Sequence, residues 1–234
     1  MKLRLLALSF TLLLALALQA QAHFVWVAAV NGSAGQPEVH VWFSELAEPD
    51  SAELLDKITA VKVWSRSLQA KPEFLKVTKR VEGTGGALIG SLTSATSALS
   101  AHINYGVLDR GDQKFLLQYH AKYLDGAAPA FKALARDEQL QFDIVPQQTA
   151  KGYTFDVLFA GRPAAASTVV ILDPSGTQID ATTDEAGRFS IENTKPGLYS
   201  IRAKWVVKES GKLGDQDYPQ VNHYSTLALR VPMN

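Results

Sequence analysis

The chain has 234 residues, of which 23 are basic, 23 are acidic and none is cysteine. The balanced charge gives no reason to expect nucleic acid or an anionic membrane as a partner. The lack of cysteine excludes disulfides, thiolate catalysis and thiolate metal sites. With 47% hydrophobic residues, the chain is long enough to bury the core of one large domain or two small ones.

The first 22 residues have the pattern of a secretory signal peptide. Lys2 and Arg4 form a basic start, an apolar run from Leu5 to Leu18 follows, and Ala20-Gln21-Ala22 is the small-x-small pattern of a cleavage site. The apolar run is shorter than the roughly 20 residues of a membrane-spanning helix, although an uncleaved anchor is the alternative. We therefore predict a periplasmic or secreted protein that begins at His23 and has no inserted membrane segment.

Short strands predominate after this leader. Runs of Val, Phe, Trp, Tyr and Leu predict strands at HFVWVAA (23–29), EVHVWFS (38–44), AVKVWSR (60–66), FLKVTKRV (74–81) and KFLLQYHAKYL (114–124). The segment EPDSAELLDKI (48–58) has apolar residues at helical spacing and predicts one short helix, capped by Asp50 or Ser51. The small-residue stretch SLTSATSALSA (91–101) indicates a loop or a weak strand.

A change of composition divides the chain near residue 146. Pro146 and Gly152 lie in a polar stretch that is typical of a domain boundary, so we predict domains at 23–146 and 147–234. In the second domain, strands are separated by tight turns at 161–163, 174–176, 185–187 and 195–197, and LALRV (227–231) would be the last strand. This spacing predicts a β-sandwich, and the chain as a whole is predicted to be all-β.

Several motifs resemble known families. The segment 183–189, TDEAGRF, fits the T-D-x-x-G-x-[FY] signature of carboxypeptidase-regulatory-like and transthyretin-like sandwiches. Residues 22–232 are similar to domain-of-unknown-function family 4198 at AHFVWV (22–27), HVWFSELAEPD (40–50), YGVLDRGDQKFLLQYHAK (105–122) and VNHYSTLALRV (221–231). That resemblance implies two Ig-like β-sandwich domains, a periplasmic location and a role in nickel or cobalt uptake, with a membrane metal transporter as partner.

Motifs of common hydrolases and nucleotide-binding enzymes are absent from the sequence. It has no G-x-S-x-G, no H-E-x-x-H and no phosphate-binding loop, and GTGG at 83–86 predicts a hairpin turn. Neighbouring carboxylates such as Glu45 and Glu48 are typical of solvated loops. We therefore expect no enzymatic activity, and five histidines are the main candidates for chemistry: His23, His40, His102, His120 and His223.

Cleavage before His23 would change the chemistry of that residue. A mature N-terminal histidine offers its freed α-amine and its ring Nδ1, which can bind one metal ion together in a chelate ring. The amine has an ordinary pKa of about 7.7 to 8, so a divalent metal displaces its proton near neutral pH. One further imidazole would complete the three-nitrogen arrangement called a histidine brace, and such ligands favour Cu(II) and then Ni(II).

His40 is the predicted second ligand. A hairpin between HFVWVAA and EVHVWFS would bring His23 and His40 to one end of the same sheet. By alternation, the core face of this strand would carry Val39, Val41 and Phe43, which leaves His40 on the other face. The alternative is an ordinary strand histidine bonded to a backbone carbonyl.

His223 and His120 are predicted to complete the metal site. His223 precedes Tyr224, as in the family pattern, and would reach the N-terminal site if the two sandwiches pack end to end. His120 shares a strand face with Gln118 and Lys122, a polar set that predicts a solvent-facing side, and His102 is the weakest candidate. Three tyrosines near histidines in sequence are candidates to orient a ligand, although Tyr is also a common strand core residue: Tyr105, Tyr119 and Tyr224.

The sequence thus predicts an exported protein that captures or delivers Cu(II), Ni(II) or Co(II) for uptake or homeostasis, without catalytic turnover. Two alternatives stay open. A structural, adhesive or carbohydrate-binding envelope protein would use the sandwiches without a metal. A copper-dependent polysaccharide monooxygenase would share the cleaved Ala-His start, but it needs an open aromatic substrate face that nothing in the sequence marks.

Overall fold

The computed structural model describes residues 23–32, 35–93, 96–111 and 113–233. The predicted signal peptide, 1–22, lies outside these ranges. Within them the chain is mostly strand, as predicted, with a short 3-10 helix at Ala52–Ile58 and a single turn of α-helix at Phe131–Leu134. Neither helix of the described chain approaches the length and apolarity that crossing a membrane requires.

The strands are numbered in chain order. The first half contains β1 (Phe24–Asn31), β2 (Pro37–Ser44), β3 (Asp50–Ser51), β4 (Lys62–Ser65), β5 (Glu73–Leu75), β6 (Thr78–Glu82), β7 (Gly85–Ser91), β8 (Ala98–Asp109) and β9 (Lys114–Asp125). The second half contains β10 (Phe142–Thr149), β11 (Gly152–Phe159), β12 (Arg162–Pro163), β13 (Thr168–Leu172), β14 (Gln178–Thr182), β15 (Arg188–Glu192), β16 (Gly197–Val207), β17 (Gly211–Leu213), β18 (Gln216–Tyr218) and β19 (Val221–Val231).

An eight-stranded sheet forms the middle of the molecule, in the order β14-β13-β16-β19-β9-β8-β4-β5. Its strands pair antiparallel except for β19 and β9, which pair parallel. Since β9 belongs to the first half of the chain and β19 to the second, this parallel pair joins both halves in one sheet. The boundary predicted at residue 146 falls inside β10. At this position β10 is paired with β11 in a continuous antiparallel ladder.

Two smaller sheets cover opposite faces of the middle sheet. One contains β1, β2, β7 and β3, with β6 paired to β7, and the other contains β10, β11, β12 and β15. Along β19, Ala228 packs into the core under β1, whereas Leu227 and Leu229 pack into the core under β10 and β11. Successive strand residues point to opposite faces, so the middle sheet has a separate hydrophobic core on each side.

The first hairpin forms as predicted. β1 pairs antiparallel with β2 from Phe24–Ser44 to Asn31–Pro37, and the three apolar residues of β2 are buried in the core: Val39, Val41 and Phe43. The predicted helix is the 3-10 helix, which buries Leu55 and Ile58. The predicted strand FLKVTKRV divides instead, because β5 pairs with β4 whereas β6 pairs with β7 in another sheet.

The TDEAGRF segment forms the tight turn that leads into β15. The Asp184 carboxylate accepts hydrogen bonds from the backbone N–H groups of Ala186 (2.9 Å) and Arg188 (2.8 Å). Gly187 has a φ of +71°, and a Cβ there would lie 2.9 Å from two backbone atoms. The Asp and Gly of this motif are therefore explained by turn geometry alone.

Candidate functional site

Strands β8, β9 and β19 place tyrosines and histidines on opposite faces of the middle sheet. Tyr119 and His120 are adjacent in β9, and His223 and Tyr224 are adjacent in β19, so the members of each pair point in opposite directions. We call Tyr105, Tyr119 and Tyr224 the tyrosine row, and His102, His120 and His223 the histidine row. The sheet separates the two rows, so these tyrosines do not orient the histidines of the histidine row, and Tyr119 contacts His23 instead.

His23 lies on the tyrosine side, immediately before β1. Its Nε2 is 3.2 Å from Oδ2 of Asp50, a residue that pairing with β7 holds in β3. The Tyr119 hydroxyl donates a hydrogen bond to the backbone carbonyl of His23 (2.9 Å), and the His23 ring lies 5.7 Å from that of Phe43. With only 18% of its side chain exposed, His23 is held by three separate elements of the fold.

A cavity of about 210 Å³ opens beside His23. The tyrosine row lines it, together with two cationic side chains, Lys57 and Arg110. Tyr119 is the most deeply buried of the three tyrosines, and burial raises its pKa far above the ordinary value. The hydroxyl of Tyr119 therefore stays protonated and acts here as a hydrogen-bond donor.

His40 does not lie near His23, so the predicted placement of these two residues at one end of the sheet is wrong. The register pairs His40 with Ala28, five positions beyond His23, which is ~17 Å at about 3.3 Å per residue. The odd separation also puts the two side chains on opposite faces of β1 and β2. The predicted hairpin forms, but the register of its eight paired positions separates the imidazole rings of His23 and His40.

His40 has its own partner instead. Its Nε2 donates to the Glu38 carboxylate (3.0 Å), which also accepts two hydrogen bonds from Arg80 (2.8 and 3.1 Å). The hydrogen bonds from Arg80 first and His40 second lower the pKa of Glu38. The Glu38 carboxylate is thus ionised and accepts hydrogen bonds from both Arg80 and His40, so His40 belongs to this half-buried ionic group.

The histidine row crosses three strands of the middle sheet on its other face. His102 and His120 are directly opposite in the β8–β9 pairing, with ring centroids 4.8 Å apart. Nε2 of His120 lies 3.2 Å from Nδ1 of His223, with ring centroids at 5.4 Å. The centroid distance exceeds the N···N distance by about two ring radii, so these two rings meet edge to edge through one hydrogen bond.

All three imidazoles of the row are neutral near pH 7. Burial is the largest cause in each case: it lowers the pKa of His102 and His120, and that of His223 to about 4. Mutual repulsion between the imidazolium forms lowers the values further. His120 and His223 are almost fully buried, so the prediction that His120 faces solvent is wrong, because the sheet of β10 and β11 covers this face. Nδ1 of His120 has no hydrogen-bond partner among the described residues.

A buried ionic cluster lies on the same face as the histidine row. The Lys122 ammonium, 1% exposed, contacts the Asp143 carboxylate and donates to the carbonyl of Ala135 (2.5 Å). Arg66 lies 3.2 Å from Asp137 in the same cluster. Burial lowers the pKa of Lys122 to about 8, against the attraction of Asp143. The cluster ties β9 to the segment that leads into β10.

The four predicted metal ligands therefore lie in three places. His23 lies at the cavity with Asp50, His40 lies in the ion pair with Glu38, and His120 and His223 lie in the histidine row. Within the described ranges, no three His, Asp or Glu side chains form a group that could hold a metal ion. The sequence did not single out Asp50 as a partner of His23, since only the pairing of β3 with β7 reveals it.

Comparison with models of known protein families gives no match. A comparison with curated proteins gives no match either. The resemblance to domain-of-unknown-function family 4198 therefore stays a prediction from the sequence motifs, and the site has to be interpreted from its own geometry.

Proposed function

We propose that the chain is exported, is cut before His23, and then binds one transition-metal ion through the α-amine and Nδ1 of that residue. The ion is Cu(II), Ni(II) or Co(II), bound as cargo for uptake or homeostasis. The observation that carries the proposal is the 3.2 Å contact between Nε2 of His23 and the Asp50 carboxylate. Localisation in the periplasm or outside the cell is part of the same proposal.

The Asp50 contact supports the required form of the imidazole. A carboxylate beside Nε2 favours the tautomer with its proton on Nε2 and the lone pair on Nδ1, which is the form of the imidazole that binds a metal through Nδ1. Metal-bound histidines commonly have a carboxylate or carbonyl on the second ring nitrogen, and this partner fixes the ring orientation. The donor set of one amine and one imidazole nitrogen fits Cu(II) and Ni(II) by ligand type.

This proposal differs from the histidine brace expected from the sequence. The other four imidazoles lie in the ion pair of His40 or on the opposite face of the middle sheet, so the protein supplies two nitrogen ligands rather than three. Two protein ligands release an ion more readily than three, which suits capture and delivery. A membrane metal transporter is the partner that such a role requires.

Calorimetric titration with Cu(II) and Ni(II) tests the metal site. The sample is processed protein whose N-terminus has been verified by mass spectrometry to be His23. We expect one equivalent to bind, His23→Ala to lose that binding, and His40→Ala to retain it as the matched control. Equal affinities of the processed protein and His23→Ala would refute the proposal.

A second variant separates the α-amine from the imidazole. Processed protein acetylated on the α-amine of His23 keeps the ring and the Asp50 contact but has no amine that can bind a metal. We expect this protein to lose most of its affinity for both metals. Retained affinity would show that the imidazole acts without the amine, which contradicts the proposed chelate.

A further inference from the structure

The cavity beside His23 has walls that are mostly aromatic. Tyr119 stands perpendicular to Tyr105, with an interplanar angle of 90°, and nearly so to Phe43, at 73°. Edge-to-face packing of this kind restrains the rings, while more of the exposed lining of the cavity is polar than apolar. Six rings line the cavity besides His23, and they can contact the apolar part of a ligand that also carries a polar group: Phe24, Phe43, Tyr105, Phe115, Tyr119 and Tyr224.

The charged side chains that line this cavity are cationic; the Asp50 carboxylate contacts His23 but does not itself line the cavity. Lys57, from the end of the 3-10 helix, and Arg110, from the end of β8, both line it. None of the described residues that line it is Asp or Glu. Burial raises the pKa of Tyr105, and the positive charge of Arg110 opposes that rise. The charge of Arg110 opposes the rise in the pKa of Tyr119 as well. The field of Arg110 therefore reaches into the cavity.

We propose that this cavity binds a small organic carboxylate with an aromatic or short aliphatic body. The body would lie against the rings, and the carboxylate would lie between Lys57 and Arg110. The volume of about 210 Å³ is below the roughly 300 Å³ at which drug-sized sites begin, so the ligand is small. This inference goes beyond metal binding and does not depend on it.

Other ligand classes fit less well. Aromatic cages also bind organic cations, but Lys57 and Arg110 would repel a cation placed between them; the metal ion proposed at His23 differs, because two nitrogen ligands would bind it directly. A free inorganic anion would leave the aromatic walls unused. A neutral apolar ligand would gain nothing from Lys57 or Arg110. The combination of aromatic walls and paired cations selects a molecule that has both an apolar part and a negative charge.

Binding of phenylacetate to the metal-free protein tests the inference. The protein is treated with a chelator and titrated with phenylacetate and with its neutral counterpart phenylacetamide, followed by calorimetry and by NMR of the tyrosine rings. We expect phenylacetate to shift the resonances of the tyrosine row and to bind about tenfold or more tightly than the amide. Equal binding of the two, or shifts elsewhere only, would overturn the proposal.

Charge-neutralising variants locate the carboxylate. Arg110→Gln and Lys57→Gln each remove one exposed cation and should weaken phenylacetate binding by about 2- to 5-fold, as expected for partly solvated ion pairs. Lys208→Gln, an exposed lysine after β16 that does not line the cavity, is the matched control and should change nothing. Unchanged binding in both cavity variants would contradict the placement. Because these titrations contain no metal, their outcome is independent of the metal site at His23.

Discussion

The two faces of the middle sheet differ sharply at the same three strands. On the β1 side, the tyrosine row lines an open cavity with His23 and two exposed cations. On the β10 side, His120, His223 and the Lys122 cluster are buried, and the two histidines pack against Phe142 and Phe159. Residues that are neighbours in sequence thus lie in environments of opposite character, one accessible to ligands and one closed.

This difference separates residues available for binding from residues that carry stability. Neutral imidazoles and buried ion pairs are costly when disturbed, since a buried charge without a partner is strongly destabilising. The two cations on the cavity side, Lys57 and Arg110, are exposed, so their replacement is expected to change ligand binding more than folding. Substitutions on the closed face should therefore act on stability, and those on the open face on binding.

Removing the buried ammonium of Lys122 should have the largest effect. Lys122→Met leaves the Asp143 carboxylate buried without its partner, and we expect the free energy of unfolding to fall by about 3–5 kcal/mol. Lys79→Met, which removes the exposed ion pair with Asp56, is the control and should cost less than about 1 kcal/mol. Urea denaturation measures both, and comparable losses in the two variants would contradict the closed-face assignment.

Acidification should destabilise the protein through the histidine row. Each of the three folded-state pKa values lies below the ordinary 6.5, so the unfolded state binds more protons once the pH falls below about 6.5. Stability is therefore intact above that pH and declines down to about pH 4, where His223 itself titrates. The shift of His223 alone corresponds to about 3 kcal/mol.

A pH series of unfolding free energies measures this slope. His223→Gln, which cannot be protonated in either state, should flatten the dependence between pH 6.5 and 4. Tyr224→Phe, the adjacent substitution on the open face, should leave the slope unchanged. If the unfolding free energy of His223→Gln had the same pH slope as that of the unmodified protein, the histidine row would not control acid stability.

On the open face, Asp50→Asn should weaken metal binding by about 10- to 100-fold, the usual cost of losing the partner that orients a metal-bound histidine. The amide is of similar size but carries no charge to hold the proton on Nε2. Calorimetry of processed protein with Ni(II) measures the change. Asp56→Asn serves as the control because Asp56 is exposed and pairs with Lys79, and equal losses in both variants would count against the role of Asp50.

Tyr119→Phe should have the smallest effect on folding. The substitution removes the hydroxyl that donates to the His23 carbonyl at 2.9 Å and keeps the ring in the core. We expect the free energy of unfolding to fall by about 1 kcal/mol, the typical net contribution of one hydrogen bond. A loss of unfolding free energy as large as that expected for Lys122→Met would contradict the difference in stability proposed between the two faces.

Local features of the fold could be predicted from the sequence, and long-range ones could not. The β1–β2 hairpin, the buried Val39, Val41 and Phe43, and the tight turn at TDEAGRF each depend on residues close together in the chain. The separation of FLKVTKRV into β5 and β6 was missed, because both parts have the same strand-forming composition. Periodicity gives the type of an element but not its partner.

The candidate site shows the same limit. The sequence singled out His23 for its place after a predicted cleavage site, and that candidacy needs no tertiary information. It paired His23 with His40, whereas the register holds them apart and Asp50 lies beside His23. It ranked His102 as the weakest histidine, although pairing of β8 with β9 places the His102 ring 4.8 Å from that of His120.

By itself, the sequence determined the all-β class and the alternation of side chains along each predicted strand, and it named the histidines as candidate ligands. The tertiary structure decided which face of each strand packs into which of the two hydrophobic cores. The parallel pairing of β9 with β19 that fixes this arrangement joins residues about a hundred positions apart. The physical reason is that alternation is a property of each strand's own backbone. Burial, pKa and ligand access depend instead on which distant strand is hydrogen-bonded beside it.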